Sequence, residues 1–137
     1  MGKEEFYRLL DAARFHEDPA ARISAGMKAA TEMRAVGSEI EAGEDDFQHF
    51  ELIDALIGMA RDRRLARCIR SAAGVYAINE CAANGKHPII AGMVNDRALP
   101  RGVRNEAEKS IRLRADRIAR EHKPENTLAA DGLAVIP

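Results

Sequence analysis

The sequence predicts an all-α domain of about six helices, arranged as three stacked helical hairpins. Three observations carry that expectation. Aromatic residues are only 4% of the chain and Trp is absent, while hydrophobic residues reach 46%. The core must therefore be built from Ala, Leu, Ile, Val and Met, which suits closely packed helices better than strands. Apolar residues recur at three- and four-residue spacing through most of the chain. The chain also repeats itself: GMARDRRLARCIRSAA at 58–73 and GMVNDRALPRGVRNEA at 92–107 agree at eight of sixteen positions, without a gap and 34 residues apart. A compact bundle of the same helices is the alternative architecture.

The first helix is expected from Lys3 to Phe15, with Phe6, Leu9, Leu10 and Ala13 on one face. HEDP follows: Asp18 is a natural N-cap, and Pro19 stands where a missing N–H is tolerated. A second helix over 19–36 carries Ile23, Met27, Ala30 and Met33 as its stripe, and Gly37 is read as its stop. GSEIEAGEDD, at 37–46, is acidic and twice broken by glycine, and reads as an exposed loop. Asp45 or Asp46 would cap a third helix over 47–61 that buries Phe50, Ile53, Leu56 and Ile57. A fourth, over 64–83, turns Leu65, Ile69, Ala72, Ala73 and Tyr76 inward and stops at Asn84-Gly85. A short fifth helix spans 88–95 and a turn 96–99. Pro100 then opens a sixth, expected to reach Glu121 with Val103, Ala107, Ile111, Ala115 and Ile118 inside. Residues 1–122 form one domain in this reading. The segment 123–137 lacks helical periodicity, holds two prolines and is expected as a mobile tail.

The matched positions have physical roles at a corner. Met59/Met93 end one helix, Asp62/Asp96 and Arg63/Arg97 make the turn, and Leu65/Leu99 plug it. Ile69/Val103 and Ala73/Ala107 face inward on the next helix, and Arg70 and Arg104, one residue beyond, are placed to bridge to acids of the turn. A fainter copy at 9–26, shifted by 47, pairs Leu9/Leu56, Ala13/Ala60, Arg14/Arg61, Ser24/Ser71 and Ala25/Ala72. Hairpins that cannot bury their stripes alone shelter one another by stacking. A turn with Asp and Pro, followed by Arg and a small residue at helical spacing, resembles the HEAT or armadillo class of α-helical repeats. NDRALPRGVRNEAEKSI, at 95–111, is also similar to the repeated segment of a family of short archaeal helical proteins. The resemblance implies a surface for partners rather than catalysis.

Composition narrows the function classes. Cys68 and Cys81 have no second pair to complete a metal knuckle; both read as buried thiols in a reducing cytoplasm, with a single disulfide between them as the alternative. No run approaches 18 apolar residues, so no membrane span is expected. No nucleophile elbow, phosphate loop or metal-binding cysteine pair occurs, and no cofactor is expected. Asp46 and His49 lie three apart, with Glu51 and the pair His16-Glu17 as further donors, which is the material for a metal-dependent helical enzyme.

Charge gives the strongest functional signal. Residues 1–60 hold 6 Lys/Arg against 13 Asp/Glu, and residues 61–137 hold 15 against 9. Arg63, Arg67 and Arg70 share one face at helical spacing, and Arg101 and Arg104 recur in the next unit. In the sixth helix, however, Arg104, Glu108, Arg112, Asp116 and Arg120 form an i, i+4 ladder that reads as a self-neutralising solvated face. The leading expectation is a non-enzymatic interaction module for a protein partner or for itself. Its basic contacts are Arg63, Arg67, Arg70, Arg101 and Arg104, with Glu41, Glu44, Asp45 and Asp46 opposite. RNA or DNA binding through the basic half is the alternative.

Overall fold

A computed structural model of the chain describes residues 2–41 and 48–131, with side chains over 2–36 and 48–122. Helices α1 (Lys3–Phe15), α2 (Pro19–Glu41), α3 (His49–Arg61), α4 (Arg67–Ala83), α5 (His87–Val94) and α6 (Arg101–Asp131) follow in order, with no strand among the described residues. Each odd helix packs on the even helix that follows it, which makes three consecutive hairpins. The even helices then pack in sequence, α2 on α4 and α4 on α6, so α4 lies at the centre. Helices α3 and α5 lean on the preceding even helix, whereas α1 and α3 meet through side chains rather than close backbones, with Lys3 Nζ 2.9 Å from a Glu51 carboxylate oxygen. The three hairpins therefore stack in chain order.

The duplicated stretch has the same backbone twice. Asp62 N–H donates to Met59 O at 3.2 Å, and Asp96 N–H to Met93 O at 3.3 Å. Leu65 to Asp62 and Leu99 to Asp96 are both 3.1 Å, and Arg70 to Ala66 and Arg104 to Pro100 are both 3.1 Å. A carboxylate fixes each corner by accepting the N–H two residues on: Asp18 from Ala20, Asp62 from Arg64 and Asp96 from Ala98, at 3.2, 3.0 and 3.0 Å. Such side-chain bonds mimic a backbone turn and let the chain reverse at little cost. Leu65 and Leu99 are buried beneath.

The first unit follows the pattern in two registers. Arg14 and Arg61 correspond at the shift of 47, but the second helices align at 48, because Asp18, Ala66 and Pro100 each stand four residues before an arginine, Arg22, Arg70 or Arg104. The second corner is one residue longer. Ala25 thus corresponds to Ala73 and Gly26 to Gly74, correcting the expected pairs Ser24/Ser71 and Ala25/Ala72.

These two glycines set the spacing of the stack. A Cβ on Gly74 would lie 2.6 Å from both γ-methyls of Val103, and one on Gly26 would run into Ile69. Ile69 and Val103 are fully buried and occupy equivalent positions, so the same contact joins α2 to α4 and α4 to α6. Burying each such side chain contributes roughly 1.5–3 kcal/mol. The even helices approach closely because one of each pair has no side chain there.

Several boundaries differ from the sequence expectation. Gly37 does not end α2, which continues through 41; an interior glycine costs only about 1 kcal/mol and Ser, Glu and Ile sustain the helix. Residues 42–47, with the rest of the expected acidic loop and the caps Asp45 and Asp46, lie outside the described residues. Helix α3 begins at His49, where the Gln48 N–H donates to the Glu51 carboxylate at 2.9 Å. Its buried stripe is Leu52, Ile53, Leu56, Met59 and Ala60, with Phe50 63% exposed on the outer side. Helix α4 starts at Arg67 rather than 64, because the corner occupies 62–66. It stops as expected, with Gly85 at φ 71° and the Lys86 N–H reaching back to Cys81 O at 2.8 Å.

Helix α6 outlasts the body. Val103 and Ala107 are buried and Ile111 is half-buried, but Ala115 and Ile118 are exposed with every other residue over 112–122. The helix runs to Asp131, into the segment expected as an irregular tail. That segment has no apolar stripe to bury; Leu, Ala and Glu around Pro124 are strong helix formers, while the proline itself removes one hydrogen bond and crowds the carbonyl four residues earlier. Residues 132–137 lie outside the described residues.

Gly74→Ala is expected to lower stability by about 1–3 kcal/mol, because Val103 is stiff and held in a packed helix. Gly58→Ala, whose Cβ meets nothing within 4 Å, should raise it by about 0.5–1 kcal/mol through helix propensity alone. Urea denaturation of the two variants reads the opposite signs.

Candidate functional site

The three corners lie along one edge of the stack, and the second gathers most of the polar contacts. Its centre is Asp62, whose side chain is only 6% exposed. Arg14, from the end of α1, donates Nε–H to Asp62 Oδ2 at 2.6 Å. Arg64 donates Nε–H to Oδ1 at 2.9 Å, and its other guanidinium nitrogen lies 3.3 Å from Oδ2. The next corner repeats the first of these pairs: Arg61 meets Asp96 at 3.3 Å. An arginine at the end of one odd helix thus grips the corner aspartate of the following hairpin.

Burial alone would push the Asp62 carboxyl upward. The hydrogen bonds from Arg64 and Arg14, together with the Arg64 backbone N–H, outweigh it and hold the group below its ordinary value of 3.8. Arg64 is pinned from its other side too, with its guanidinium carbon 5.8 Å from the centroid of the Phe15 ring. Phe15 is 64% exposed at the end of α1.

Arg64 borders two depressions of different chemistry. One, of about 480 Å³, is lined by Arg14, Gly58, Arg61, Asp62, Arg63 and Arg64, four guanidiniums around one carboxylate. The other, of about 220 Å³, lies between the first and second corners. Ala13, Pro19, Ile23, Leu65, Ala66 and Ile69 give it an apolar wall, with Arg22 and Arg64 at its rim. Ile23 is exposed there, although the sequence placed it on an inner stripe.

The sequence-predicted contact residues separate into three groups. Arg63, Arg67 and Arg101 are exposed at the corner edge, and no ion pair holds any of them among the described residues. Arg63 lies in the corner, before α4 begins, so the three arginines at 63, 67 and 70 do not form a helical row. Arg70 bridges no turn acid. Its guanidinium donates to Ala60 O at 3.1 Å and to Ala98 O at 2.9 Å, tying the second corner to the third. Arg22 makes the corresponding intra-unit bond to His16 O at 2.8 Å. Arg104 is the third equivalent; its Nε is buried without a hydrogen-bond partner, whereas the Nε of Arg70 reaches Ala60 O within its own hairpin. Of the acidic set, Glu44, Asp45 and Asp46 lie outside the described residues, as does the side chain of Glu41.

The histidines and carboxylates proposed for a metal do not converge. His16 accepts the Asp18 N–H at the first corner, 3.1 Å away. His49 opens α3 and lies 3.2 Å from the Glu80 carboxylate, at the end of α3 away from the corners and about 18 Å from them by helical rise. Asp46 lies outside the described residues, and among those described no three donors gather. Cys81 is buried, and burial, then the Glu80 charge, pushes its thiol up to about 11. Cys68 is exposed on α4, where a buried thiol was expected. Thirteen residues of helix hold the two sulfurs about 20 Å apart, too far for a disulfide.

Sequence reasoning missed Arg14, Arg61, Arg64 and Phe15 as site residues. The match of Arg14 with Arg61 was the available signal, but only the stacked hairpins show that each faces an aspartate. No protein-family model, curated protein or solved structure matches this chain.

A carboxyl whose folded pKa is depressed contributes stability that is fully present above the unfolded value, near 3.8. That contribution is lost as the pH falls through the lower folded value. Thermal unfolding below about pH 4 should therefore lose midpoint temperature more steeply in the native protein than in Asp62→Asn. At neutral pH Asp62→Ala should cost roughly 1–3 kcal/mol, with two guanidiniums left without their acceptor.

Proposed function

We propose that the chain is a non-enzymatic interaction module. Its second corner binds a protein segment that presents an apolar side chain next to a carboxylate. The observation that carries this reading is the adjacency of an apolar depression and an arginine-lined one, with Arg64, hydrogen-bonded to Asp62 and set against Phe15, where both meet. An aliphatic side chain fits among Pro19, Ile23, Leu65 and Ile69, and a carboxylate in the next depression would face Arg63 and the outer nitrogens of Arg61. Arginine forks suit carboxylates, and a preformed guanidinium loses little entropy on binding.

A partner protein is favoured over a further copy of this chain stacked end to end. Asn95 stands where Arg14 and Arg61 stand in the earlier units, Glu108 replaces the glycine, and Ala21 replaces Ile69 or Val103. The glycine contact therefore lacks a partner at both outer hairpins and the arginine bridge is missing from the third, where Arg104 keeps an unused donor. Nucleic-acid binding has weaker support, because Arg70 is consumed by backbone carbonyls and the aromatic ring at the edge, Phe15, already has Arg64 against it. The consecutive hairpins support placing the chain among HEAT-like helical repeats, and an exposed unpaired thiol at Cys68 supports a reducing, cytoplasmic setting.

Selection of a random peptide library on the full chain tests the reading. Enriched sequences should place Leu, Ile or Phe beside Asp or Glu. Arg63→Glu and Ile23→Asp, both at exposed positions outside the ion pairs, should each weaken a selected peptide by about tenfold or more while leaving the helical circular dichroism unchanged. Selected peptides without acidic residues, or binding indifferent to both variants, would overturn it.

A further inference from the structure

The open end of the third hairpin, away from the corners, holds a second cluster that the interaction edge does not use. Ser110, Arg114 and Arg117 follow at spacings of four and three and so share one face of α6. That face looks onto His87, the first residue of α5, across a cleft of about 190 Å³ that Ala82 and Leu113 complete. No carboxylate lines the cleft, and among the described residues neither guanidinium has an ion-pair partner. His87 Nδ1 is removed from solvent and has no hydrogen-bond partner, an uncommon state for a buried polar atom.

We propose that this cleft binds a phosphate group, free or as the monoester of a small molecule. Two guanidiniums and a hydroxyl from α6, with an imidazole from α5 opposite, supply donors from two sides, which suits an anion with several terminal oxygens such as phosphate. The apolar wall of Ala82 and Leu113 gives a short carbon skeleton somewhere to rest. The side chains carry the site rather than the start of α5, because Pro88 has no N–H and the Ile89 N–H is already bonded to Lys86 O at 3.2 Å. The local field agrees with the geometry. Burial, followed by the charges of Arg114 and Arg117, holds the His87 imidazole below its ordinary value, so the empty cleft is short of negative charge. Ser110 to Arg117 lie roughly 14–24 Å along α6 from its corner end, so the site is independent of the peptide-binding reading.

Titration of the ¹⁵N-labelled full chain with inorganic phosphate and with glycerol 3-phosphate, followed through the His87 ring nitrogens, tests the assignment. At least one of the two should give a saturable shift. Tighter binding of the ester would mark a phosphorylated metabolite as the ligand, and tighter binding of inorganic phosphate would mark the free anion. Arg114→Ala and Arg117→Ala should each weaken binding by about tenfold, and Arg120→Ala, on the same helix but outside the cleft, should leave it unchanged. Three results would overturn the proposal: no saturable shift from either ligand, an equal response to sodium chloride at matched ionic strength, or a response that survives both cleft variants.

Discussion

Everything in this molecule follows from how closely its even-numbered helices approach. Gly26 meets Ile69 and Gly74 meets Val103, a missing side chain against a β-branched one. Larger residues at both partners would hold the helices at an ordinary separation, and the corners would move apart with them. At the observed spacing, Arg14 reaches Asp62, Arg61 reaches Asp96 and Arg70 reaches the carbonyl of Ala98. The polar contacts along the corner edge are thus a consequence of apolar packing in the interior. The third unit departs from the pattern, with Glu108 in place of glycine and Asn95 in place of arginine.

The arginines divide their work by position rather than by type. Arg14, Arg61 and Arg64 neutralise corner aspartates, and Arg22 and Arg70 satisfy backbone carbonyls where helices end. Only those left over, Arg63, Arg67, Arg97 and Arg101, face solvent at the edge without such duties. The two halves of the sequence, unlike in charge, meet at the second corner. Arg14 belongs to the acidic half and Asp62 to the basic half, and they form the tightest of the corner bridges. A guanidinium fixed between a carboxylate and an aromatic face, as Arg64 is, forms part of the wall of two depressions and does not need to be ordered on binding.

The two ends of the hairpins have unlike chemistry. At the corners every turn has a carboxylate of its own, which answers Arg14, Arg61 and Arg64 and leaves Arg63, Arg67, Arg97 and Arg101 unpaired among the described residues. At the open end of the third hairpin, Arg114 and Arg117 stand on a helix that continues past the body. Their charge acts on His87 instead. The first two hairpins close their open ends differently, with His49 against Glu80 and Lys3 against Glu51.

Much of this architecture was legible in the sequence. The duplication, the corner aspartates, the leucine plugs and the stop at Asn84-Gly85 are local signals whose physics acts within a few residues. The limits of α1 could be read in the same way. Helix ends set by tertiary context could not: Gly37 is passed through, α4 waits for its corner to finish, and α6 runs on without a stripe to bury. The site was legible only in part, because exposure at 63, 67 and 101 follows from the turn, but the capture of Arg70 and the burial of Asp62 depend on a neighbouring hairpin. By itself the sequence determined that the chain folds as repeated helix–turn–helix units, since periodicity and turn chemistry are properties of short segments. Only the tertiary structure decided which arginines remain free, because that depends on which carbonyls and carboxylates the stacking brings within hydrogen-bond reach.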